Sequence, residues 1–201
     1  MNIYEPKNIR NVALLGHQGS GKTTLMESLA FIAGLTKKKG TIEEGNTISD
    51  YQKEEKAHKI SYKNSIVPIE YQGFKYNFID TPGLFDFAVE VDGALRAARI
   101  ALIVIDATKG IEAGTKKAYR YVRERSIPAI LVLTKMDKSN INYDSVLEEV
   151  RNSLGKRVVP FTWPIGRKED FEGFVNVIDE TARIYNGKEC VDAEIWEEKL
   201  P

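Results

Sequence analysis

The stretch that most constrains this chain is residues 11–31, "NVALLGHQGSGKTTLMESLAF". An apolar run, a glycine-rich loop and a helical pattern follow one another there without a break. Gly16 to Thr23, "GHQGSGKT", fits the spacing G-x-x-x-x-G-K-[S/T]. The glycines let the backbone bend into a tight loop whose N–H groups converge, and the helix that follows adds the positive end of its dipole. Such a loop is built to hold phosphate. It also fixes an architecture, because the strand before it belongs inside a sheet and the helix after it belongs on one face. The intervals between Gly16, Gly19 and Gly21 do not fit the dinucleotide fingerprint G-x-G-x-x-G.

The rest of the chain repeats this alternation. "KYNFID" (75–80), "IALIVIDA" (100–107) and "AILVLT" (129–134) read with "NVALLG" as buried strands, each ending where polar chemistry begins. "NSIVPIEYQG" (64–73) alternates, and its glycine runs into the next strand, which predicts an antiparallel edge hairpin with 75–80. Leu25, Met26, Leu29 and Ala33 mark one helix, and Val146, Val150 and Leu154 another. Leu84, Ala88, Val91, Leu95 and Ala98 recur at intervals of four, three, four and three, so Leu84 can begin an apolar stripe. These elements predict an α/β fold with a mostly parallel sheet flanked by helices and ligands at the strand ends. Gly34 to Lys63 is polar and poorly periodic, a length at which loops are functional or disordered. Beyond Gly166, "FEGFVNVIDETARIYNGKECVDAEIWEE" reads as two strands around "NGK", a hairpin signal.

Composition excludes several classes. Lys plus Arg and Asp plus Glu are 29 each in 201 residues, so no global basic field captures nucleic acid, and "TKKKG" (36–40) is the densest local positive patch. No apolar run approaches the roughly 18 residues that span a bilayer, which argues against membrane insertion. "MNIYEPKNIR" has no secretory pattern. Cys190 is the single cysteine, so no internal disulfide forms and a reducing cytoplasm fits; the thiol itself is expected to be a partly buried small hydrophobe.

Two further strings complete a nucleotide site. In "FIDTPG" Asp80 ends a strand where it can hold Mg²⁺ through water, and Gly83 can donate its N–H to the last phosphate. Lys22 would reach the β- and γ-phosphates, with the Thr23 hydroxyl on the metal. In "TKMD", Thr134 to Asp137, the Asp137 carboxylate can accept from the N1 and N2 donors of guanine while the stem of Lys135 covers the ring. Adenine presents no such donor pair, which disfavours an ATPase or kinase. The candidate nucleotide-binding set is Gly16, His17, Gln18, Gly19, Ser20, Gly21, Lys22, Thr23, Thr24, Asp80, Gly83, Thr134, Lys135 and Asp137.

With these motifs in order, the chain resembles the GTPase domain of the translational GTPases, and within them elongation factor G and its paralogues. The likeness runs through "NIRNVALLGHQGSGKTTLMESLAFIAG", "GNTISDYQKEEKAHKIS", "FIDTPGLFDFAVEVDGALRAARIALIVIDATKGIEAGT", "PAILVLTKMDK", "PIG" and "FEGFVNVID". The resemblance implies a six-stranded P-loop fold, GTP or GDP with Mg²⁺, and action on the ribosome within a longer protein. It implies a metal-ligand set of Thr23, Ser61 and Asp80, Ser61 standing where the family's first switch has a threonine. It also divides the chain into a GTPase core over 1–166, lacking its last motif and helix, and the start of an inserted β-hairpin subdomain over 167–201. The family's "SA"-like fifth motif is not reached, which makes the chain read as a fragment.

Three positions depart from the family. After "DTPG" the family has a histidine that orients the attacking water; here it is Leu84, so beside Lys22 the catalytic set has a hydrocarbon at a key position. Gly19 replaces a P-loop aspartate, and Lys59 in "HKIS" replaces a glycine. His17 matches a histidine the family already has, and His58 is expected to be solvated. The sequence therefore implies a GTP-binding domain of an elongation factor G-like factor with impaired hydrolysis, or alternatively a non-hydrolysing GTP-dependent switch.

Overall fold

The computed structural model describes residues 2–49, 52–58, 61–83, 88–138, 141–166, 171–186 and 189–193. It divides into two compact units, Met1–Asp106 with Glu112–Thr134, and Ala107–Ile111 with Lys135–Pro201.

In the first unit a 3-10 turn at Pro6–Asn8 leads into β1 (Ile9–Gly16), α1 (Lys22–Ile32), α2 (Lys53–His58), β2 (Ser65–Tyr71), β3 (Phe74–Asp80), α3 (Ala88–Ala97), β4 (Ile100–Asp106), α4 (Ala113–Glu124) and β5 (Ala129–Thr134). The strands form one sheet in the order β2-β3-β1-β4-β5. β1 pairs parallel with β3 and β4, β4 pairs parallel with β5, and β2 runs antiparallel to β3. Among the described residues this sheet has five strands, one fewer than the resemblance implies.

The expected strands are all present, and the apolar runs of β1 and β4 are the most deeply covered. Leu14, Leu15, Ile103 and Ile105 are essentially sealed from solvent. β2 forms the expected edge hairpin; it alternates buried and exposed residues and carries Pro68, whose missing N–H is tolerated at an edge. β5 is the opposite edge, and its Ile130 is half exposed. From β1 the chain proceeds to β3 on one side and to β4 on the other. The C-terminal end of β1 therefore sits at the point where strand order reverses, and a crevice for ligands opens there.

α1 packs Met26 and Ala30 against Val12, Leu14, Val67, Ile69 and Phe78. α3 buries Ala94 and Leu95 and ends at Ala97, with the Ala98 N–H closing on the Ala94 carbonyl at 2.9 Å. The proposed first member of that stripe, Leu84, lies outside the described residues. α4 is a helix the apolar pattern did not announce. Its inward face is Thr115, Ala118 and Val122, too small to register as an apolar stripe, while Tyr121 carries Lys117 and Arg120 over its ring. The segment after α1 is no shapeless loop: it contains α2, and its Thr47 and Ser49 are buried.

In the second unit α5 (Tyr143–Leu154) starts at Asn142, whose side-chain oxygen accepts from the Ser145 N–H at 3.2 Å. It buries Val146, Leu147, Val150 and Leu154. β6 (Thr162–Ile165), β7 (Gly173–Asn176), β8 (Thr181–Asn186) and β9 (Glu189–Ala193) form an antiparallel sheet in chain order. β8 and β9 are the hairpin expected around "NGK", with Asn186 opposite Glu189. β6 and β7 were not anticipated. A small core of Ile165, Val175 and Ala182 holds them. Cys190 is exposed rather than partly buried, because it stands on β9, the outer strand, where little packs on either face. Among the described residues no helix is long and apolar enough to cross a membrane.

Candidate functional site

β1 delivers the chain into the loop at Gly16, and α1 takes it away from Gly21. Gly21 is the N-cap and has no side chain to close the helix start, so the first N–H groups of α1 are left for another acceptor. Lys22 and Thr23 open the helix and are both 7% exposed. The Lys22 ammonium donates to the loop carbonyls of Gly16 (3.1 Å) and His17 (2.9 Å). Burial lowers its pKa from 10.5 to about 8, against the opposing pull of the Asp80 and Glu112 carboxylates. The Thr23 hydroxyl donates to Asp80 Oδ2 at 3.0 Å, and Asp80, at the end of β3, is 1% exposed.

The "DTPG" turn is fastened to this floor. The Thr81 hydroxyl donates to the Leu14 carbonyl at 2.6 Å. Gly83 then comes so close to the loop that a Cβ on it would fall 2.7 Å from Lys22 Nζ and from Gln18 Cα. Only glycine fits there. Thr134, at the end of β5, braces the loop from the other side: its hydroxyl lies 2.8 Å from the Ser20 carbonyl oxygen and 3.1 Å from that of Ile105. Ser20 is fully buried, with a hydroxyl oxygen that has no hydrogen-bond partner among the described residues. Gln18, Gly19 and Thr24 are on the exposed side of the same loop and helix start.

Both histidines are accounted for. His17 Nδ1 accepts from the Gly114 N–H at 3.3 Å, and its Nε2 lies 3.4 Å from Glu112 Oε1. Its two nitrogens therefore face the start of α4, and the imidazole serves as a bolt between loop and helix. His58 is exposed and meets Tyr62 edge-on, with ring centroids 6.3 Å apart. Glu112 and Gly114 gave no sequence signal, because their partner is far away along the chain.

The structure brings together Gly16, His17, Ser20, Lys22, Thr23, Asp80, Gly83 and Thr134. Ser61 is half-buried in the segment after α2 of the same unit. Lys135 and Asp137 belong to the second unit. There Lys135 takes a φ of 60°, its carbonyl accepts from the Lys138 N–H at 3.2 Å, and the Asp137 carboxylate lies 3.6 Å from Lys138 Nζ. Leu84 and Lys59 lie outside the described residues.

The donor set suits phosphate and a hard divalent ion. A buried ammonium, a hydroxyl–carboxylate pair and an uncapped helix start converge at the switch point of a mostly parallel sheet, which defines a P-loop nucleotide-binding domain. Residues 7–193 match the family model described as the elongation factor Tu GTP binding domain, and the chain belongs to that family. It is 34% identical over 192 residues to an elongation factor G-like protein of Synechocystis, covering 96% of this chain and 29% of that protein. A mitochondrial ribosome-releasing factor 2 of Rattus norvegicus is 34% identical over 178 residues, with 89% and 23% covered. A crystal structure of a Thermus thermophilus protein superposes with a TM-score of 0.88 at 36% identity, over 94% of this chain and 28% of that one. The chain thus spans less than a third of the length of these relatives.

Proposed function

We propose that this chain binds GTP and GDP with Mg²⁺ as the nucleotide-binding part of an elongation factor G-like factor that acts on the ribosome, and that Leu84 makes its hydrolysis slow. The observation that carries the reading is the buried cluster of Lys22, Thr23 and Asp80 beneath the loop. A desolvated ammonium is an unfavourable thing to bury, and phosphate oxygens would restore the solvation that burial removes. Thr23 and Asp80, with Ser61, offer two hydroxyls and one carboxylate, which suits an ion that keeps part of its water shell. Bound Mg²⁺ would neutralise charge on the β- and γ-phosphates. Lys135 and Asp137 would read the guanine. The ribosome enters through the rat relative, a ribosome-releasing factor, and through the elongation factor G-like one.

Leu84 favours a second reading, a GTP-dependent switch that does not turn over usefully, because a hydrocarbon cannot orient water. The surroundings of His17 support this reading, since its ring nitrogens are directed at Gly114 and Glu112. Titration with a fluorescent GTP analogue in Mg²⁺, competed with GDP and ATP, tests the binding. GTP and GDP should displace the probe and ATP should not; displacement by ATP alone would overturn the assignment.

A further inference from the structure

Among the carboxylates as deeply buried as Asp80, two stand on helices outside the phosphate cluster: Glu27, on α1 one turn beyond Thr23, and Glu55, on α2, are each 1% exposed. A carboxylate in that position is unfavourable unless donors surround it. Here the donors are backbone N–H groups of the polar segment that follows α1. Glu27 Oε2 accepts from Gly40 at 3.1 Å, and Oε1 accepts from Ile48 at 2.5 Å. Glu55 Oε2 accepts from Gln52 at 3.1 Å, the reciprocal half of a capping box at the start of α2. Its Oε1 accepts from Tyr62 at 3.0 Å and Lys63 at 3.4 Å. Gly40 is shaped for this contact, since a Cβ on it would lie 2.6 Å from Glu27 Oε2 and 2.8 Å from the Asn46 carbonyl oxygen.

The segment has few large apolar side chains to offset the entropy of ordering it. Charge-assisted hydrogen bonds from backbone N–H groups to the two buried carboxylates supply what packing does not. Their roots are informative. Glu27 stands on the helix that begins with Lys22 and Thr23, and Glu55 grips the two N–H groups that directly follow Ser61. We infer that Glu27 and Glu55 are positioning residues, which fasten the segment at both ends so that Ser61 is held where a bound Mg²⁺ needs it. The metal half of this inference rests on the reading of the site as one for Mg²⁺ and guanine nucleotide; the fastening half does not.

The test uses the whole chain as Glu27→Ala, Glu27→Gln, Glu55→Ala, Glu55→Gln and Gly40→Ala. The last variant pushes on Glu27 from the loop side and leaves both carboxylates in place, so it and the glutamine variants decide the matter should an alanine variant not fold. Trypsin cleavage at Lys37, Lys38 and Lys39 without nucleotide should be about tenfold faster in Glu27→Ala and Gly40→Ala. It should be intermediate in Glu27→Gln, which keeps one acceptor. For a fluorescent GTP analogue, Glu55→Ala should lose about tenfold of the affinity that Mg²⁺ confers, as supporting residues around metals typically do, while affinity in EDTA is unchanged. Unchanged cleavage overturns the fastening. An equal loss with and without Mg²⁺ overturns the positioning of Ser61, because it would report general damage. A wild-type chain that binds no guanine nucleotide overturns the reading of the site, and the cleavage result still decides the fastening.

Discussion

The two sets of residues proposed to hold the nucleotide, one in each unit, are built in opposite ways. The phosphate end hangs from the middle of a sheet, with Lys22, Thr23 and Asp80 almost sealed and each tied to a neighbour by a hydrogen bond. At the base end, Asp137 has a side chain 69% exposed, on a turn whose shape comes from its own backbone. A buried, pre-fixed set of donors strengthens every interaction with an anion, whereas an exposed carboxylate gains little until a ligand covers it. Affinity should therefore reside at the phosphate end and selectivity at the base end.

The largest effect expected from this contrast concerns chemistry rather than binding. A Leu84→His variant should cleave GTP in single turnover on ribosomes about a hundredfold to ten-thousandfold faster than the native chain, the range typical of a positioned proton-transfer group. Equal rates would show that the phosphate end lacks more than one residue. Next, Lys22→Ala should weaken GTP and GDP alike by about a hundredfold, since a charge-assisted contact to phosphate is lost. Calorimetry that found a change at the base end of similar size would erase the asymmetry. Asp137→Asn should weaken GTP by about tenfold and improve binding of xanthosine nucleotides, whose 2-oxo group accepts from the new amide. Its melting temperature should not move, because the side chain is exposed.

The smallest effect is a pH dependence. Lys22 would bind phosphate in its charged form, and burial has brought its pKa from 10.5 down to about 8. Below that value the ammonium is already protonated and affinity is level; as pH rises from 8 to 9 the free protein loses the proton and affinity falls, by up to about tenfold per unit. Lys22→Arg stays charged and should flatten the slope in a fluorescence titration.

Much of this was legible in the sequence, for reasons that differ by element. The strands of the first sheet and the β8–β9 hairpin announce themselves through apolar runs and a turn signal. α4 did not, because Thr115, Ala118 and Val122 pack on the sheet without forming a greasy stripe. β6 and β7 are short and contain Pro164 and Gly173, so neither propensity nor alternation marks them. Lys22 with Thr23, and Asp80 with Gly83, were readable as candidates because each pair belongs to one short motif, although the two motifs meet across 57 positions. The contact of His17 with Gly114 and that of Thr134 with Ser20 join residues 97 and 114 positions apart, and no single-sequence pattern encodes such a meeting. Buried Glu27 and Glu55 look like surface charge in the sequence, since nothing local marks the distant backbone N–H groups of Gly40, Ile48, Tyr62 and Lys63 that surround them.

The two rims of the first sheet have unequal defences. β2 carries a proline and a glutamate, whereas β5, "AILVLT", has neither proline nor charge, and no strand covers its outer edge among the described residues. An apolar edge strand left unpaired is a template for self-association. Shelf life in the test tube will accordingly be governed by protein concentration, and turbidity should climb on concentrating the sample well before heating unfolds it.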